Sequence, residues 1–402
     1  MKIAVLGIGT AGLTSLAHCL AHLNESWTVY SISDPATPML GIGESTTPVI
    51  PGQLYNGARF TLLKDSDELD ATVKHGVKYV GWRENDFFSN IVPPHHAIHF
   101  NNFKLKDFCF KRFKEKWNDK FVEVYGNIAH VINNNRFATV VVDGVLMDGV
   151  LMDFDYVIDC RGYPEDYTDY TLSTAIPVNH CLVHTVLEPG TWNWTYHTAH
   201  RNGWMFGIPL KTRQGWGYLY NDTITSKEDA MADIAERFNL KPEDLKLREF
   251  AFKTYYANKF IDGRILKNGN RALFFEPMEA LSGAFYGMLM RSFISMIDGD
   301  ITPEYLNESM TVTAQDIENF ICYMYHGGSN YDSKFWDMAK SNCREHLHNN
   351  ERFNQFIDLI RILKLHEHDD MHSWTPFLTA NWLDFDTNLN YNYFKMNSTQ
   401  KP

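Results

Sequence analysis

Cysteine is scarce in this chain, and its cysteines are scattered. The 402 residues include six cysteines, and none of them forms a CxxC pair. A disulfide framework or a common zinc site needs cysteines at paired or clustered spacings. We therefore predict neither, and the isolated thiols are typical of a reducing compartment such as the cytoplasm.

Long apolar runs are also missing. No uninterrupted apolar stretch approaches the ~20 residues that a membrane-spanning helix needs. The apolar N-terminus is interrupted by Gly7, Gly9 and Gly12, and no small-residue cleavage site follows it, so it lacks the form of a secretory signal. We predict a cytoplasmic protein with no membrane partner.

Positive charge is in deficit. Lys and Arg number 37 against 49 Asp and Glu, which gives a formal net charge of −12. Nucleic acids and anionic membranes are bound by clustered Lys and Arg, so we expect neither as a partner.

Pro-rich and Gly/Ser-rich linkers are absent as well. With 44% hydrophobic and 21% charged residues, the composition predicts a globular chain whose units are interwoven.

The histidines show no common metal-binding pattern. They cluster at His95-His96-Ala97-Ile98-His99 and at residues 366–372. Neither group has the HExxH spacing or the cysteine partners of common zinc sites. We predict no metal site and interpret both groups as solvated loops, with the alternative that His95 or His96 borders a pocket.

A glycine-rich loop stands near the N-terminus, Gly7-Ile8-Gly9-Thr10-Ala11-Gly12. It follows the apolar run Lys2–Leu6, which is typical of a buried strand, and precedes apolar residues at helical spacing, Leu13, Leu16, Ala17, Leu20 and Leu23. Such glycines let the backbone approach a pyrophosphate, which the helix N-terminus attracts. The pattern predicts a dinucleotide-binding fold, with NAD and FAD both open at this point.

The middle of the chain shows mainly strand patterns. Residues 27–32 are predicted as the second strand of a βαβ unit, and 137–142 and 156–158 as further strands, whereas residues 54–90 are predicted to be largely helical. A five-residue duplication, Asp143 to Met147 and then Asp148 to Met152, contains an Asp-Gly turn signal and predicts a hairpin. Residues 181–222 alternate apolar and polar, as in a large antiparallel sheet.

The last part of the chain is predicted to be mainly helical. Ser226-Lys-Glu-Asp229 has the form of a capping box and opens a helix. From Thr313 onward one helical face is apolar, and Gly327-Gly328 is a stop signal; the face consists of Ile317, Phe320, Ile321 and Met324. The final thirty residues show no clear periodicity.

Six further segments follow one another along the chain: residues 41–48, 74–82, 157–163, 203–210, 275–279 and 323–336. In this order they resemble the motifs of the flavin-dependent halogenases of the tryptophan-halogenase family. Gly203-Trp204-Met205-Phe206-Gly207-Ile208-Pro209-Leu210 looks like the family's W-x-W-x-I-P element, with Phe206 in place of the second Trp. Residues 41–48 resemble its GVGEAT-x-P loop, and residues 157–163 resemble the segment that closes the FAD site.

The resemblance implies an α/β fold of the FAD-binding, Rossmann-like, flavin-monooxygenase type, with a large antiparallel sheet and a mainly helical C-terminal subdomain. Residues 1–310 would form the FAD-binding and halide-oxidising module with interwoven substrate-side segments, and residues 311–402 the helical substrate-side subdomain. The second strand of the family usually ends in an acidic residue that holds the ribose, and here Ser33 and then Asp34 stand at that place. The implied FAD-binding residues are Gly7, Gly9, Thr10, Ala11, Gly12, Ser33, Asp34, Gly43, Glu44, Ser45, Asp159, Gly162 and Ala284.

The resemblance also implies the chemistry. Reduced FAD, O2 and a halide ion give hypohalous acid, which travels to Lys74 and halogenates an electron-rich aromatic carbon. Lys74 acts either as an ammonium that hydrogen-bonds to the hypohalous acid or as a haloamine, and both remain open. Glu279 is the implied catalytic carboxylate, which stabilises the positive charge on the ring and accepts its proton, with Glu276 as the fallback.

The remaining implied residues surround the reacting groups. The halide is expected in the turn at Ser282 and Gly283. The implied aromatic wall between flavin and substrate consists of Trp204, Phe206 and Pro209, and the implied substrate-side residues are Tyr325, Phe335 and Trp336.

Two departures from the family refine these expectations. The turn Ala280-Leu281-Ser282-Gly283 is one residue longer than the family's E-S-T-G, so we expect a reshaped halide pocket that prefers bromide or iodide to chloride. No equivalent of the residues that bind the ammonium and carboxylate of a free amino acid is evident, so an indole or a phenol is the expected substrate.

The expected protein partner is a separate flavin reductase, because no second nucleotide-binding loop occurs in the sequence. A homo-oligomer is compatible with the sequence.

Two other functions are compatible with part of this pattern. An FAD-dependent aromatic hydroxylase would keep the glycine loop without needing Lys74 or the Trp204 wall, and a non-catalytic flavin-binding protein would need neither. At the level of single residues, Lys74 and Glu279 could be a core ion pair. Trp204 and Phe206 could be ordinary core residues of a sheet.

Overall fold

The computed structural model describes residues 1–363 apart from 39, 92–94, 135, 145 and 146, together with Trp382, Phe385 and Asp386. The helices are α1 (Thr10–His22), α2 (Val49–Ala58), α3 (Leu62–Asp65), α4 (Asn102–Trp117), α5 (Lys227–Phe238), α6 (Leu281–Ile297), α7 (Pro303–Tyr325), α8 (Lys334–Asn349) and α9 (Glu351–Leu363), with 3-10 turns at Pro242–Asp244, Gly269–Arg271 and Met278–Ala280. The histidine group at 366–372 lies outside the described residues.

The strands up to residue 159 are β1 (Lys2–Leu6), β2 (Thr28–Ser33), β3 (Thr72–Lys74), β4 (Gly76–Val80), β5 (Phe87–Asn90), β6 (Ala97–His99), β7 (Phe121–Tyr125), β8 (Asn127–Asn133), β9 (Ala138–Gly144), β10 (Met147–Phe154) and β11 (Tyr156–Asp159). The later strands are β12 (Tyr170–Leu172), β13 (His180–Val186), β14 (Thr195–His200), β15 (Gly203–Pro209), β16 (Gln214–Tyr220), β17 (Leu247–Ala251), β18 (Tyr255–Ala257), β19 (Ile261–Asp262), β20 (Ile265–Lys267) and β21 (Leu273–Phe274).

A six-stranded sheet in the order β19-β20-β11-β1-β2-β7 contains the glycine loop at its centre. β1 pairs in parallel with both β2 and β11, which confirms the βαβ prediction. Because side chains alternate along a strand, Ile3 and Val5 face the main core, while Ala4 and Leu6 face a second cluster that includes β9 and β10 residues. The central strand is thus buried on both faces, as a dinucleotide-binding sheet requires.

A seven-stranded sheet in the order β17-β13-β16-β15-β14-β4-β5 is the large antiparallel sheet that the sequence predicts. Its one parallel pairing in the described residues joins β14 to β4. Trp204, Phe206 and Ile208 face the main core, whereas Met205 packs in a cluster with α5 residues on the other side. One face of this sheet therefore points towards the centre of the molecule.

The C-terminal helices pack on this arrangement. α6 lies against α1, α2 and α7, and α8 lies against α7. The four residues predicted as the apolar face of α7 are all buried. The predicted division at residue 310 falls inside α7, and the same core cluster contains residues from both sides of it. The two-unit division remains a prediction.

One described helical segment, Met278–Ile297, is long and apolar enough by length and composition to cross a membrane. This corrects the expectation that no stretch approaches that length. Phe285, Leu289 and Phe293 are fully buried in the protein core, so packing accounts for the apolar sequence. A single helix of this kind is weak evidence for a membrane span.

Other local predictions have mixed outcomes. Ser226 caps α5 by accepting a hydrogen bond from the Asp229 N–H, as predicted. β9 and β10 form the predicted hairpin, but Asp148-Gly149 lies at a register shift within β10 rather than in the turn. The largely helical assignment for residues 54–90 is wrong, because the chain enters β3, β4 and β5 after α3. The β-branched residues of this segment favour the pleated conformation, and its period is 2.

Candidate active site

The glycine loop joins β1 to α1 by a close backbone approach. Gly7 has a φ of +90°, which favours glycine. A Cβ on Gly12 would lie 2.0 Å from the Gly7 carbonyl oxygen, and one on Gly7 would lie 2.8 Å from the Cys160 carbonyl oxygen. Both glycines are therefore required by the packing of the loop itself.

Gly9 is different, because the protein gives no reason for a glycine there. Its φ is −69°, and an added Cβ would meet no atom within 4 Å. Gly43 and Gly162 also face open space, although their φ values are positive. An open position of this kind is what a bound group would occupy when it lies close against the backbone.

The start of α1 has no cap. Gly9 is its N-cap residue, no side chain accepts a hydrogen bond there, and the first turn contains no acidic residue. By contrast, α4, α5, α7 and α8 each have a side-chain cap. The unpaired N–H groups and the positive dipole end of α1 therefore remain free for an anion.

The predicted cofactor-binding residues Ser33, Asp34 and Asp159 lie at or directly after the ends of strands, and the first two are the predicted ribose contacts. β2 ends at the buried Ser33, and Asp34 follows it and accepts hydrogen bonds from Ala36 N–H and Thr37. Asp159 ends β11 and forms ion pairs with Arg161 at 2.8 Å and Arg271 at 3.4 Å. Burial raises the pKa of the Asp159 carboxyl, but the hydrogen bonds from Arg161 outweigh it and hold the pKa below its usual value.

Asn102 joins two of the segments predicted to bind the cofactor, the glycine loop and residues 41–48. It accepts a hydrogen bond from the Thr10 hydroxyl, and its amide donates to the Ile42 carbonyl at 2.6 Å. Its backbone N–H donates to Glu44, which is buried and also accepts from Arg213. Burial raises the pKa of Glu44 against the opposing charge of Arg213. In this structure Glu44 thus binds protein groups.

Lys74 ends β3 and is almost completely buried, with 2% exposure. Its Nζ donates to the Ser45 hydroxyl at 3.1 Å and to the Thr46 carbonyl at 3.0 Å. Burial lowers the pKa of Lys74 to about 8, although the charge of Glu279 acts to raise it. A lysine with this pKa is present in both protonation states near neutral pH.

Glu279 lies in the turn that leads into α6. Its carboxylate accepts a hydrogen bond of 2.6 Å from the Tyr79 hydroxyl. Glu279 and Ala280 both have a φ of 57°, the left-handed region that costs a non-glycine residue free energy. Backbone strain of this kind is concentrated at functional sites, where the surrounding structure enforces it.

The predicted halide residues fall in the first turn of α6, after this strained turn. Ser282 and Gly283 follow Leu281, the first residue of the helix, and Ala284, which is predicted to bind FAD, comes next. No side chain caps α6, and its first turn contains no acidic residue. The start of α6 therefore has the same free N–H groups as the start of α1.

Trp204 and Phe206 lie on the face of the seven-stranded sheet that points into the main core. Trp204 is fully buried, and a Cβ on the neighbouring Gly217 would lie 2.2 Å from the Phe206 ring. The ring of Pro209 does not join them: alternation places it on the other face, where its Cβ would lie 2.2 Å from a Cβ on Gly190.

The predicted substrate-side residues belong to a buried aromatic cluster. The Trp82 ring lies 5.8 Å from Tyr325, 5.1 Å from Trp336 and 6.2 Å from Trp204 between centroids. Phe335 contacts Trp336 edge-on at 5.1 Å. The structure thus brings these residues together with Trp204.

A second carboxylate lies beside this cluster. Trp204 Nε1 donates to the Tyr325 hydroxyl, which in turn donates to Glu276 at 2.8 Å. The other Glu276 oxygen is buried and has no hydrogen-bond partner among the described residues. Burial raises the pKa of Glu276 to about 8, so it is largely neutral at pH 7.

Sequence reasoning missed several residues around Lys74 and Glu279. Tyr79 and His197 lie on the same sheet face as the predicted Phe206, since His197 is the register partner of both Tyr79 and Phe206. His99 is fully buried in β6, which corrects its assignment to a solvated loop, whereas His95 is exposed. The period-2 pattern of β4 and β14 was the signal that could have found them. Within the described residues, no group of three or more His, Cys, Asp or Glu is placed to hold a metal.

Comparisons with known proteins agree with this architecture. The family described as tryptophan halogenase matches residues 2–144 and 86–384. The tryptophan 7-halogenase RebH of Lentzea aerocolonigenes is 21% identical over 427 residues, which cover 84% of this chain and 78% of that protein.

Two solved structures share the fold. The tryptophan halogenase of Shewanella frigidimarina superposes with a TM-score of 0.80 at 17% identity, covering 100% of this chain and 91% of that one. BrvH, a flavin-dependent halogenase from Brevundimonas sp. BAL3, superposes with a TM-score of 0.76 at 18% identity, covering 97% and 89%. Because the family match spans nearly the whole chain, this protein belongs to the tryptophan halogenase family and is a flavin-dependent halogenase of that family.

Proposed function

We propose that this enzyme uses reduced FAD, O2 and a halide ion to halogenate an electron-rich aromatic carbon, with Lys74 and Glu279 as catalytic residues. The observation that supports this best is the buried Lys74, whose charge interacts with that of Glu279. Burial favours the neutral form of a lysine, and a nearby carboxylate opposes that effect. Here two neutral oxygens accept from Nζ while burial lowers its pKa to about 8.

The residues of the glycine loop fit FAD. The uncapped start of α1 offers N–H groups to a pyrophosphate, and the open space beside Gly9, Gly43 and Gly162 leaves room for it. When bound and reduced, FAD supplies with O2 the oxidising power that converts halide to hypohalous acid. The side chains of this chain bind it, exclude water and direct the oxidant.

The first turn of α6 is the proposed halide site. A buried halide is costly unless N–H groups receive it, and Ser282 and Gly283 lie where the helix leaves such groups free. We propose that bromide or iodide is preferred to chloride. The support is the extra residue in this turn, which begins with the strained Glu279 and Ala280.

Lys74 and Glu279 divide the next steps. The third position on Lys74 Nζ is not used by Ser45 or Thr46. It either donates a hydrogen bond to hypohalous acid or, when Lys74 is deprotonated, attacks the halogen, so that a nitrogen–halogen bond forms as the oxygen–halogen bond breaks and the oxygen leaves as water with an Nζ proton. Attack on an aromatic carbon leaves a positive charge on the ring, and a carboxylate beside it stabilises that charge and accepts the proton. The Tyr79 hydroxyl donates a hydrogen bond to the Glu279 carboxylate and so keeps it oriented.

The proposed substrate is an indole or phenol type of aromatic. Trp82, Trp204, Tyr325 and Trp336 form an apolar, aromatic surrounding that favours a flat ring. We propose that Trp204 and Phe206 separate this ring from the flavin. A separate flavin reductase is the proposed source of reduced FAD.

The test supplies reduced FAD, air and chloride, bromide or iodide to the enzyme with a panel of indoles and phenols, and measures product masses. Lys74→Met is compared with Lys78→Met. Lys78 lies four residues further along the chain, on β4, but its Nζ lies over the Tyr196 ring, on the sheet face opposite to Tyr79. Halogenated product that persists with Lys78→Met and vanishes with Lys74→Met supports the proposal. Hydroxylated product would indicate the aromatic hydroxylase instead, and FAD binding without any product would indicate the non-catalytic flavoprotein.

A further inference from the structure

A chain of hydrogen bonds connects Lys74 to the buried His99. Lys74 Nζ lies 3.1 Å from the Ser45 hydroxyl, which lies 3.0 Å from the Thr195 hydroxyl. The Thr195 hydroxyl lies 2.9 Å from His99 Nε2. Lys74, Thr195 and His99 are each at most 3% exposed, so water does not compete for most of this chain.

The last hydrogen bonds of this series, at Thr72, determine which group donates in each of the others. The Thr72 hydroxyl lies 2.7 Å from the Pro209 carbonyl, which can only accept, and 3.1 Å from His99 Nδ1. A hydroxyl has one proton to donate. Thr72 donates it to Pro209 and therefore accepts from His99 Nδ1–H.

The proton position on His99 then determines the donor in each hydrogen bond between His99 and Lys74. Burial, and to a lesser degree the charge of Lys74, hold the pKa of His99 well below its usual value, so the ring is neutral. A neutral ring with a proton on Nδ1 has a lone pair on Nε2. Thr195 must donate to that lone pair, and Ser45 must donate to Thr195. Ser45 is left with only lone pairs to offer Lys74.

We propose that His99 and Thr195 are positioning residues for Lys74, which commit Ser45 to accept a hydrogen bond from Nζ and thereby favour the ammonium form. Thr46 offers a carbonyl that also only accepts. Both fixed partners of Nζ are thus acceptors in either protonation state. Only the third position on Nζ changes, from a donor N–H to a lone pair, when Lys74 loses its proton.

The other groups that face Lys74 do not produce this effect. Glu279, in the turn before α6, acts through its charge. His197, on β14, feels the charge of Lys74, but burial holds its pKa well below the usual value and keeps it neutral. The hydrogen-bond chain therefore adds to Glu279 in favouring the ammonium, through bonds that a substitution can remove separately.

The first test is the tautomer of His99 in the unmodified protein. ¹⁵N NMR of histidine-labelled protein between pH 6 and 9 is expected to show a ring that stays neutral with its proton on Nδ1. A His99 that has its proton on Nε2, or that is charged at pH 7, overturns the proposal. This measurement needs no turnover.

The second test removes the link between Ser45 and His99. Thr195→Val keeps the side-chain shape and deletes the hydroxyl, and Thr198→Val makes the same change on the opposite face of β14. The pKa of Lys74 is read from ¹³Cε-labelled lysine, with its signal assigned by its loss in Lys74→Met. One hydrogen bond of ordinary strength predicts a fall of roughly half a unit to one unit in Thr195→Val.

The outcomes separate this inference from the proposed function on which its catalytic meaning rests. An unchanged or raised Lys74 pKa in Thr195→Val, or an equal fall in Thr198→Val, overturns the inference whether or not the enzyme halogenates. A fall in Thr195→Val alone supports it. The pH profile of halogenation should then move in the same direction by the same amount, whereas absence of any halogenation by the unmodified enzyme counts against the proposed function only.

Discussion

The starts of α1 and α6 are two uncapped helix N-termini built in opposite ways. α1 is entered through glycines, and its N-cap residue, Gly9, has an unstrained φ of −69°. α6 is entered through Glu279 and Ala280, two non-glycine residues at a φ of 57°. The first entrance uses residues without side chains to leave space, while the second holds the proposed catalytic side chain of Glu279 in a strained turn. If both helix starts bind anions as we propose, one anion site is made by omission of side chains and the other by enforced backbone geometry.

The largest effect on stability is expected from adding a side chain to the glycine loop that leads into α1. Gly12→Ala would place a Cβ 2.0 Å from the Gly7 carbonyl oxygen. Because backbone must move, we expect the free energy of unfolding in urea to fall by about 3 kcal/mol or more. Gly52→Ala in α2, where a Cβ meets nothing within 4 Å, is the control and should be neutral or stabilising. Equal losses in both variants would contradict the steric explanation.

The next largest effect concerns the free-energy cost of burying Lys74, whose charge interacts with that of Glu279 before α6. Its pKa falls from 10.5 to about 8 on folding, which corresponds to roughly 3 kcal/mol before other terms are counted. Between those two pH values the unfolded chain binds more protons than the native state, so wild-type stability rises with pH there.

Lys74→Met should consequently be more stable than wild type at pH 7, by about 2 kcal/mol after the loss of two hydrogen bonds. That advantage should shrink as the pH rises from 8 to 10.5. Urea unfolding of both proteins at pH 7 and pH 10 measures it. A difference that does not depend on pH would show that Lys74 is not destabilised by burial.

A smaller effect is expected at Gly9, where the α1 entrance is open. Gly9→Ala meets no protein atom within 4 Å, so the fold should lose less than about 1 kcal/mol from the weaker cap. The Cβ would occupy space proposed for the pyrophosphate, and FAD affinity should fall by about tenfold, or ~1.4 kcal/mol. Isothermal titration with FAD tests this, and undiminished affinity would place the cofactor elsewhere.

The smallest effect comes from making the α6 entrance resemble that of α1. Ala280→Gly should remove strain and raise the free energy of unfolding by roughly 0.5–1 kcal/mol. Ala232→Gly, in the exposed interior of α5, should lower it by a similar amount. Thermal unfolding of the two variants decides between strain and a general effect of glycine.

The same contrast explains which parts of the molecule the sequence could predict. The glycine loop before α1 could be predicted from local rules, because the close backbone approach in a strand-turn-helix unit requires glycine at positions 7 and 12. The strain at Glu279 has no local signal, since no residue type announces a left-handed turn there. The sequence therefore predicted Glu279 through family resemblance alone.

Residues that approach from distant strands were harder to predict. Tyr79 and Glu279 are 200 positions apart, and their hydrogen bond depends on the pairing of β4 with β14. The incorrect helical assignment for residues 54–90 hid that pairing, because on a helix Tyr79 would not share a face with His197. The hydrogen-bond chain from Lys74 to His99 likewise needs the β3–β6 pair to bring Thr72 beside His99.

The contact of Phe206 with Gly217 has a consequence for the order in which this site can evolve. A Cβ at position 217 would lie 2.2 Å from the Phe206 ring, so the effect of a mutation at one position depends on the residue at the other. A larger residue at 217 requires the Phe206 ring to move or position 206 to become smaller, and a tryptophan at 206 would crowd any residue at 217 other than glycine. The two positions are therefore expected to be an epistatic pair, and a laboratory lineage should accept enlargement at 217 more readily after a reduction at 206.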